Sequence, residues 1–528
     1  MGMEFEIISI FNRSVTIERK NEECYEAGNE CRVKVNGTVV KETRQNVITI
    51  DNLLPDTEYE IELCGQDGSA HKKITTKHES FLLNVRDFGA KGDGSSIDTA
   101  AIQAAVMACP VEGTVYFPAG TYFTGPVFLK SKMTLWVDEG ATILGDPDRT
   151  HYPVLPGMVR HLYRNEEEYN IASWEGNPLN CFASLITAIN VEDVDLIGRG
   201  TIDGNASNSD WWENVRKKRG AWRPKTVFFS GCQRIRMQSL TVKNSPSWTL
   251  HPYYSDHLQF LNLTVWNPAD SPNTDGFDPE SCEDVLLLGT KISVGDDCVA
   301  IKSGKLYMAA WHYKRTKGIE IRNCLFERGH GSVTVGSEVA GGVEDIHISR
   351  CIFLGTDRGV RIKTRRGRGE RSVITGMVFE NIRMDKVHMP VTVNMFYFCD
   401  PDGHTEYVQG QDFKPVDYRT PKIGTITVKD VVCTGVDASF VCAYGLPEAP
   451  IERIEIENAQ VSYLTEGERA PQRPIMMDNF PPISGRSLVL KNVKEVICKN
   501  VTVTGSVDDA PELNAVEKQD TAGLKLFR

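Results

Sequence analysis

Three carboxylates, one imidazole and a pair of cations fall in four short clusters within about ninety residues: Asn273-Thr274-Asp275, Gly295-Asp296-Asp297, Gly329-His330-Gly331 and Arg361-Ile362-Lys363. That inventory suits the hydrolysis of a glycosidic bond beside a negatively charged sugar. One carboxylic acid protonates the leaving oxygen, another carboxylate activates water, and a cation holds the substrate's own carboxylate. Taken singly each cluster is weak: an Asp-Asp pair reads as a solvated turn, a lone His-Gly as structural, Arg-x-Lys as an exposed strand face. Their conjunction carries the weight.

In this order the clusters resemble the signature of glycoside hydrolase family 28, the polygalacturonases, and the likeness extends over roughly residues 84 to 505. Carried over position by position, the resemblance implies that Asp296 is the general acid and that Asp275 and Asp297 position and deprotonate the attacking water. His330 then hydrogen-bonds near the acid, while Arg361 and Lys363, with Asn273, bind the galacturonate. It further implies inverting hydrolysis of α-1,4 linkages in pectate or oligogalacturonides, in the exo mode of bacterial members, with no cofactor and no metal. The physical reading agrees in outline, because three clustered carboxylates cannot all ionise easily and one must retain a proton.

The elements that position these groups are strands. Similar segments recur at Asp193–Ile197, Arg234–Met237, His257–Phe260, Asp284–Leu287, Gly318–Ile321, Asp345–Ile348, Gly424–Val428, Arg453–Ile456 and Glu495–Cys498. The steps are 23 (258 − 235), 27 (285 − 258) and 27 (346 − 319) residues, with almost no helical periodicity. This pattern predicts an all-β fold, the coils of a parallel β-helix. The stretch Asp98–Val106 reads as an amphipathic capping helix with Asp98 as N-cap. The glycine-rich run Asn84–Gly94 before it lacks the ending of a phosphate loop and is similar to the entry segment of pectin-degrading β-helix proteins.

The coil also predicts site geometry. Asp275 and Asp296 are 21 residues apart (296 − 275), so they should stack on neighbouring rungs about 4.8 Å apart. Adjacent Asp296 and Asp297 would face opposite ways on a straight strand, so the chain should bend there, helped by Gly295. Arg361 and Lys363 should share a face, with Ile362 inward. The resulting separation is shorter than the roughly 6.5–9.5 Å expected between acid and base in inverting enzymes.

Residues 1–80 alternate in short runs such as Phe5-Glu6-Ile7-Ile8, Arg32–Val35 and Asn46–Ile50, with a turn at Asn36-Gly37. They read as a small antiparallel sandwich, and Leu53–Ile61 resembles the proline-turn-tyrosine stretch of fibronectin type III domains. Residues 81–528 are then the right-handed β-helix catalytic domain. A formal net charge of −12 argues against nucleic acid and anionic membranes as partners. A polyanionic substrate therefore needs local positive charge, and Arg361, Lys363, Arg365, Arg366, Arg368 and Arg371 supply it; from Arg365 onward a solubilising loop and a substrate role are equally open. The fourteen cysteines stand singly, and no signal peptide or membrane-spanning stretch is visible. A cytoplasmic protein is the simplest expectation, secreted or periplasmic if a leader was removed; oligomeric state is left open.

Three excursions, 146–185, 205–225 and 386–422, interrupt the coils and carry Tyr163, Tyr169, Trp174, Trp211, Trp212, Phe396, Tyr397 and Tyr407. Packing is expected for most of these aromatics and sugar stacking for the rest. Insertions of this size can wall off one end of a groove, as in exo-acting members of the family. The alternatives are a rhamnogalacturonan-type hydrolase, a pectate-lyase-like β-elimination needing calcium and an Arg or Lys base, and a silent polysaccharide-binding β-helix. The Asp275 motif favours galacturonan cleavage over the first, and fold alone cannot choose among them.

Overall fold

The structure is a computed structural model describing residues 3–66, 68–164 and 167–528. From Leu82 onward the chain winds as a right-handed parallel β-helix. A representative coil runs through Glu283–Leu288, Lys291–Ser293 and Val299–Ile301, and the next through Thr316–Arg322, Leu325–Glu327 and Val333–Val335. Register follows the sequence spacing: Leu258 pairs with Val285, Val285 with Ile319, and Ile319 with Ile346. Alternation sends Leu258, Phe260, Val285, Leu287, Ile319 and Ile321 inward, where they join one continuous core.

Between the first and second strand of each coil the chain turns on a single left-handed residue, such as Asn262 (φ 54°), Asn323 (51°), Asn381 (49°) and Asn458 (52°). Asparagine tolerates that conformation because its short polar side chain bonds locally. The residue that follows points inward: Leu263, Cys324, Ile382 and Ala459 are all buried. Cys232, Cys282, Cys298, Cys324, Cys351 and Cys498 are buried free thiols and behave as small hydrophobes.

Helix Thr99–Ala108 lies at the entry end with Ile102, Ala105 and Val106 in the core. Asp98 stands at its N-cap position but makes no side-chain cap bond. Its carboxylate instead accepts from the backbone N–H groups of Lys91 (2.8 Å) and Gly92 (3.0 Å). The glycine-rich run thus folds around Asp98, with Gly92 and Gly94 at positive φ (62° and 76°).

The N-terminal segment forms two antiparallel sheets. Phe5–Ile10, Val15–Arg19 and Val47–Ile50 make one, and Thr38–Gln45, Glu26–Val35, Glu58–Gly65 and Gly68–Thr75 the other. They enclose Phe5, Val15, Ile17, Val33, Ile48, Ile61 and Leu63. The Tyr59 hydroxyl accepts from the Leu54 N–H at 2.9 Å, closing a sheet corner. Phe11 and Val47 pack on Ile197, Leu261 and Leu288 of the β-helix. Beside them Glu18 accepts from Arg322 (2.9 Å), Asn323 (2.7 Å) and Arg350 (3.0 Å). The sandwich therefore sits on the turn between first and second strands.

Most excursion aromatics pack: Trp211 meets Tyr152 and Phe182 edge-on, and Trp174 stacks on Trp222 at 5.0 Å. Tyr163 is exposed. The third excursion is shorter than expected, because Met389–Asn394 is a regular strand of the β-helix. Among the described residues no helix is long and apolar enough to cross a membrane.

Candidate active site

The four clusters converge at the other turn, between second and third strands. Asp275 lies in the turn after Thr264–Trp266, Asp296 and Asp297 between Lys291–Ser293 and Val299–Ile301, and His330 between Leu325–Glu327 and Val333–Val335. Arg361 and Lys363 stand on the third strand, Arg358–Lys363. Carboxylate oxygens of Asp275, Asp296 and Asp297 all lie within 4.8 Å of one another.

The register differs from the expectation by one residue. Phe277 pairs with Val299, and the Gly276 N–H donates to the Asp297 carbonyl at 3.0 Å, so Asp275 stacks on Asp297 rather than on Asp296. Asp296 precedes the strand and turns to the surface, where it is the one partly exposed carboxylate of the three. The glycines serve close approach. A β-carbon on Gly295 would lie 2.3 Å from the Ser271 carbonyl, and one on Gly331 would lie 2.7 Å from Asp297 Oδ1. Gly329 adopts φ 140° against the Asp296 carbonyl. Thr274 Oγ1 accepts from the Gly295 N–H at 3.3 Å and ties the two acidic turns together.

Arg361 and Lys363 share a face, with Ile362 in the core. Arg361 Nη1 donates to Asp297 Oδ1 at 3.0 Å, and Lys363 Nζ donates to Asp297 Oδ2 at 2.9 Å. The two cations thus grip the protein's own carboxylate. Burial opposes ionisation of Asp297, but Lys363 and Arg361 outweigh it and hold this carboxyl well below the usual range. Asp275 goes the other way: burial first, then the neighbouring Asp296 charge, push it well above that range. His330 donates its backbone N–H to the Asp296 carbonyl at 3.0 Å. Its ring Nδ1 pairs with Asp357 Oδ2 at 2.7 Å, a bond that raises its pKa with help from the Asp296 charge. Asn273, at φ 54°, accepts from Arg223 Nη2 at 2.6 Å.

Four residues outside the sequence-level set belong to the site: Lys302, Asp278, Glu338 and Asp357. Lys302 Nζ lies 3.8 Å from Asp275, 3.5 Å from Asp278 and 3.3 Å from Glu338. Its only sequence signal is its place five residues after Asp297, where a lysine ending a strand reads as solvent-exposed. Three members of the basic run are neither a solubilising surface nor a free patch, while Arg371 is exposed. Arg365, Arg366 and Arg368 are buried, and they pair with Asp400 and Asp402, with Glu448, and with Asp400 respectively.

This arrangement provides a partly exposed carboxyl beside a buried one, and a third carboxylate whose charge Lys363 and Arg361 stabilise. One cation could touch all three carboxylates. Arg361 and Lys363 already bring positive charge to both oxygens of Asp297, which disfavours such an ion.

Comparison with known proteins places the chain. Residues 164–469 match the description Glycosyl hydrolases family 28, and residues 82–192 match Rhamnogalacturonase A/epimerase, pectate lyase-like. The chain is similar to a "Probable polygalacturonase" of Vitis vinifera, 29% identical over 73% of this chain and 75% of that protein. It is also similar to an "Exo-poly-alpha-D-galacturonosidase" of Dickeya chrysanthemi, 23% identical over 72% and 69% respectively. In structure it resembles the family 28 exopolygalacturonase of Yersinia enterocolitica, with TM-score 0.68, 19% identity, and coverage of 97% of this chain and 98% of that one. With the four clusters gathered at one turn of a β-helix and the strand beside it, and the family description spanning more than half its length, the chain belongs to glycosyl hydrolases family 28.

Proposed function

We propose that the protein hydrolyses α-1,4 bonds between galacturonic acid residues in pectate or oligogalacturonides, acting from chain ends. The observation that carries this reading is the convergence of Asp275, Asp296 and Asp297, at one turn, with the Arg361–Lys363 pair on the strand beside it. Asp296, partly exposed, is placed to protonate the leaving oxygen. Asp275, whose buried carboxylate binds protons tightly once ionised, takes the proton of water. Asp297 is a poor base, since two cations stabilise its charge; it orients the water instead. The same cations offer their remaining donors to a galacturonate carboxylate, and Asn273, held by Arg223, is assigned to the same substrate.

The exo mode is supported by the way two excursions meet. The Lys305 N–H donates to the Gly176 carbonyl at 2.9 Å, while Lys305 Nζ pairs with Asp400 at 2.9 Å. Arg368 adds a second cation to Asp400 at 2.7 Å. Residues 172–177 and 396–405 are thereby fastened into one wall next to Glu338 and Lys363. The sandwich of residues 1–80, docked on the opposite turn, is read as a spacer without chemistry.

Chromatography of products from polygalacturonate tests this reading. Monomer from the first time point is expected. A spread of intermediate oligomers would replace exo by endo action, and an ultraviolet-absorbing unsaturated product would replace hydrolysis by β-elimination.

A further inference from the structure

The proposed hydrolysis needs Asp275 ionised to take the proton of water, yet burial and the Asp296 charge push it well above the usual carboxylate range. Something must counter that. The inference drawn here rests on the proposed hydrolysis and concerns what does so.

Lys302 follows the strand Val299–Ile301 and carries its ammonium behind the acidic cluster, with 3% of its surface exposed. Glu338 accepts from it at 3.3 Å, Asp278 Oδ1 lies at 3.5 Å and Asp275 Oδ2 at 3.8 Å. The Trp248 ring covers it, 4.4 Å from ring centroid to ammonium. Lys302 therefore contacts Asp275 and not Asp296. Both oxygens of Asp278 are buried without a hydrogen-bond partner, so burial and the Asp275 charge push Asp278 well above the usual carboxylate range. Asp278 makes the same kind of demand on the ammonium as Asp275, which burial pushes up in the same way. Glu338 makes more, but it also draws on Lys305 and Arg368. Asp297 is satisfied by Arg361 and Lys363. Glu280 completes the acidic surroundings and shares its field with Lys225 and the buried His251, to which it hydrogen-bonds at 2.9 Å.

We propose that Lys302 is a positioning residue whose ammonium opposes protonation of Asp275 and so keeps that carboxylate available to receive the proton of water. It touches neither sugar nor water; it acts through Asp275. The proton count is unchanged by this role. Asp296 gives its proton to the leaving oxygen, Asp275 receives one from water, and Lys302 keeps its three throughout.

The test is the pH dependence of kcat/KM and kcat on oligogalacturonide for the full-length protein and two variants. Lys302→Met keeps length and burial but removes the charge. Its acidic limb should move up by about one pH unit or more, because Asp275 ionises later, and kcat should fall while KM changes little. Glu338→Gln removes an anion competing for Lys302, and its acidic limb should move down. If Lys302→Met fails to fold, Lys302→Gln, uncharged but able to hydrogen-bond Glu338, should show the same upward shift and decides the matter. A lysine that merely supports the fold would lower the plateau and leave both limbs on the wild-type curve, which would overturn the inference. Inactive wild-type protein would instead overturn the proposed hydrolysis itself.

Discussion

Two of the turns in each central coil of the β-helix, those before and after its second strand, follow different rules. Between first and second strands one left-handed residue suffices, and Asn262, Asn323, Asn381 and Asn458 repeat it with nearly the same φ. Between second and third strands the length varies from coil to coil: residues 267–276, then 294–298, then 328–332, then 355–357. The regular turn supports a docked domain through Glu18, Phe11 and Val47. The irregular turn gathers three carboxylates, and cations from the neighbouring third strand complete the site. A repeat that satisfies its backbone identically in every coil has no freedom left for a site. Chemistry sits where the repeat is broken.

If that division is right, substitutions on the two turns should separate activity from stability. The largest effect is expected at Asp296→Asn, which keeps shape but cannot donate the proton: turnover should fall about 10³-fold with Tm unchanged. Near-normal activity would remove Asp296 from the acid role. Next, Lys363→Ala should cost about 2–4 kcal/mol in kcat/KM on galacturonide, roughly 30- to 1000-fold, because a charged hydrogen bond is lost in a buried setting. On the methyl ester the loss should be smaller, limited to the contact with Asp297. Equal losses on both substrates would confine Lys363 to holding Asp297. At the regular turn, Glu18→Gln leaves Arg350 without its counter-charge and Arg322 with Glu320 alone. Thermal denaturation should then show about 2 kcal/mol of lost stability, with kcat of the folded enzyme unchanged.

The two turns were also unequally legible in the sequence. The coil register, Leu258 to Val285 and Ile319 to Ile346, follows from inward-facing apolar residues that recur at fixed steps. The N-terminal sandwich announces itself through alternation, Asn36-Gly37 and the Tyr59 corner. At the irregular turn only the four motifs were legible. Their register was misjudged by one residue, because spacing along the chain does not reveal that Asp275 stacks on Asp297. Lys302, Asp278 and Glu338 were invisible for a different reason. Single charged residues read as solvated, and nothing local tells that Gly176 will lie against Glu338 and the Trp248 ring over Lys302. Arg365, Arg366 and Arg368 show the same limit, since their partners Asp400, Asp402 and Glu448 lie tens of residues downstream.

The most exposed claim is that Asp275 and Asp297 hold a water rather than one of them attacking the sugar. Their carboxylates and that of Asp296 lie within 4.8 Å, closer than the roughly 6.5–9.5 Å usual for inversion and nearer the roughly 5–5.5 Å usual for retention. Proton magnetic resonance of the anomeric signal during the first moments of oligogalacturonide cleavage decides between them. The account predicts the β-anomer as first product from the α-linkage, the outcome of single displacement by water. The α-anomer appearing first would mean a covalent intermediate on one of these aspartates and would contradict the roles assigned to the site.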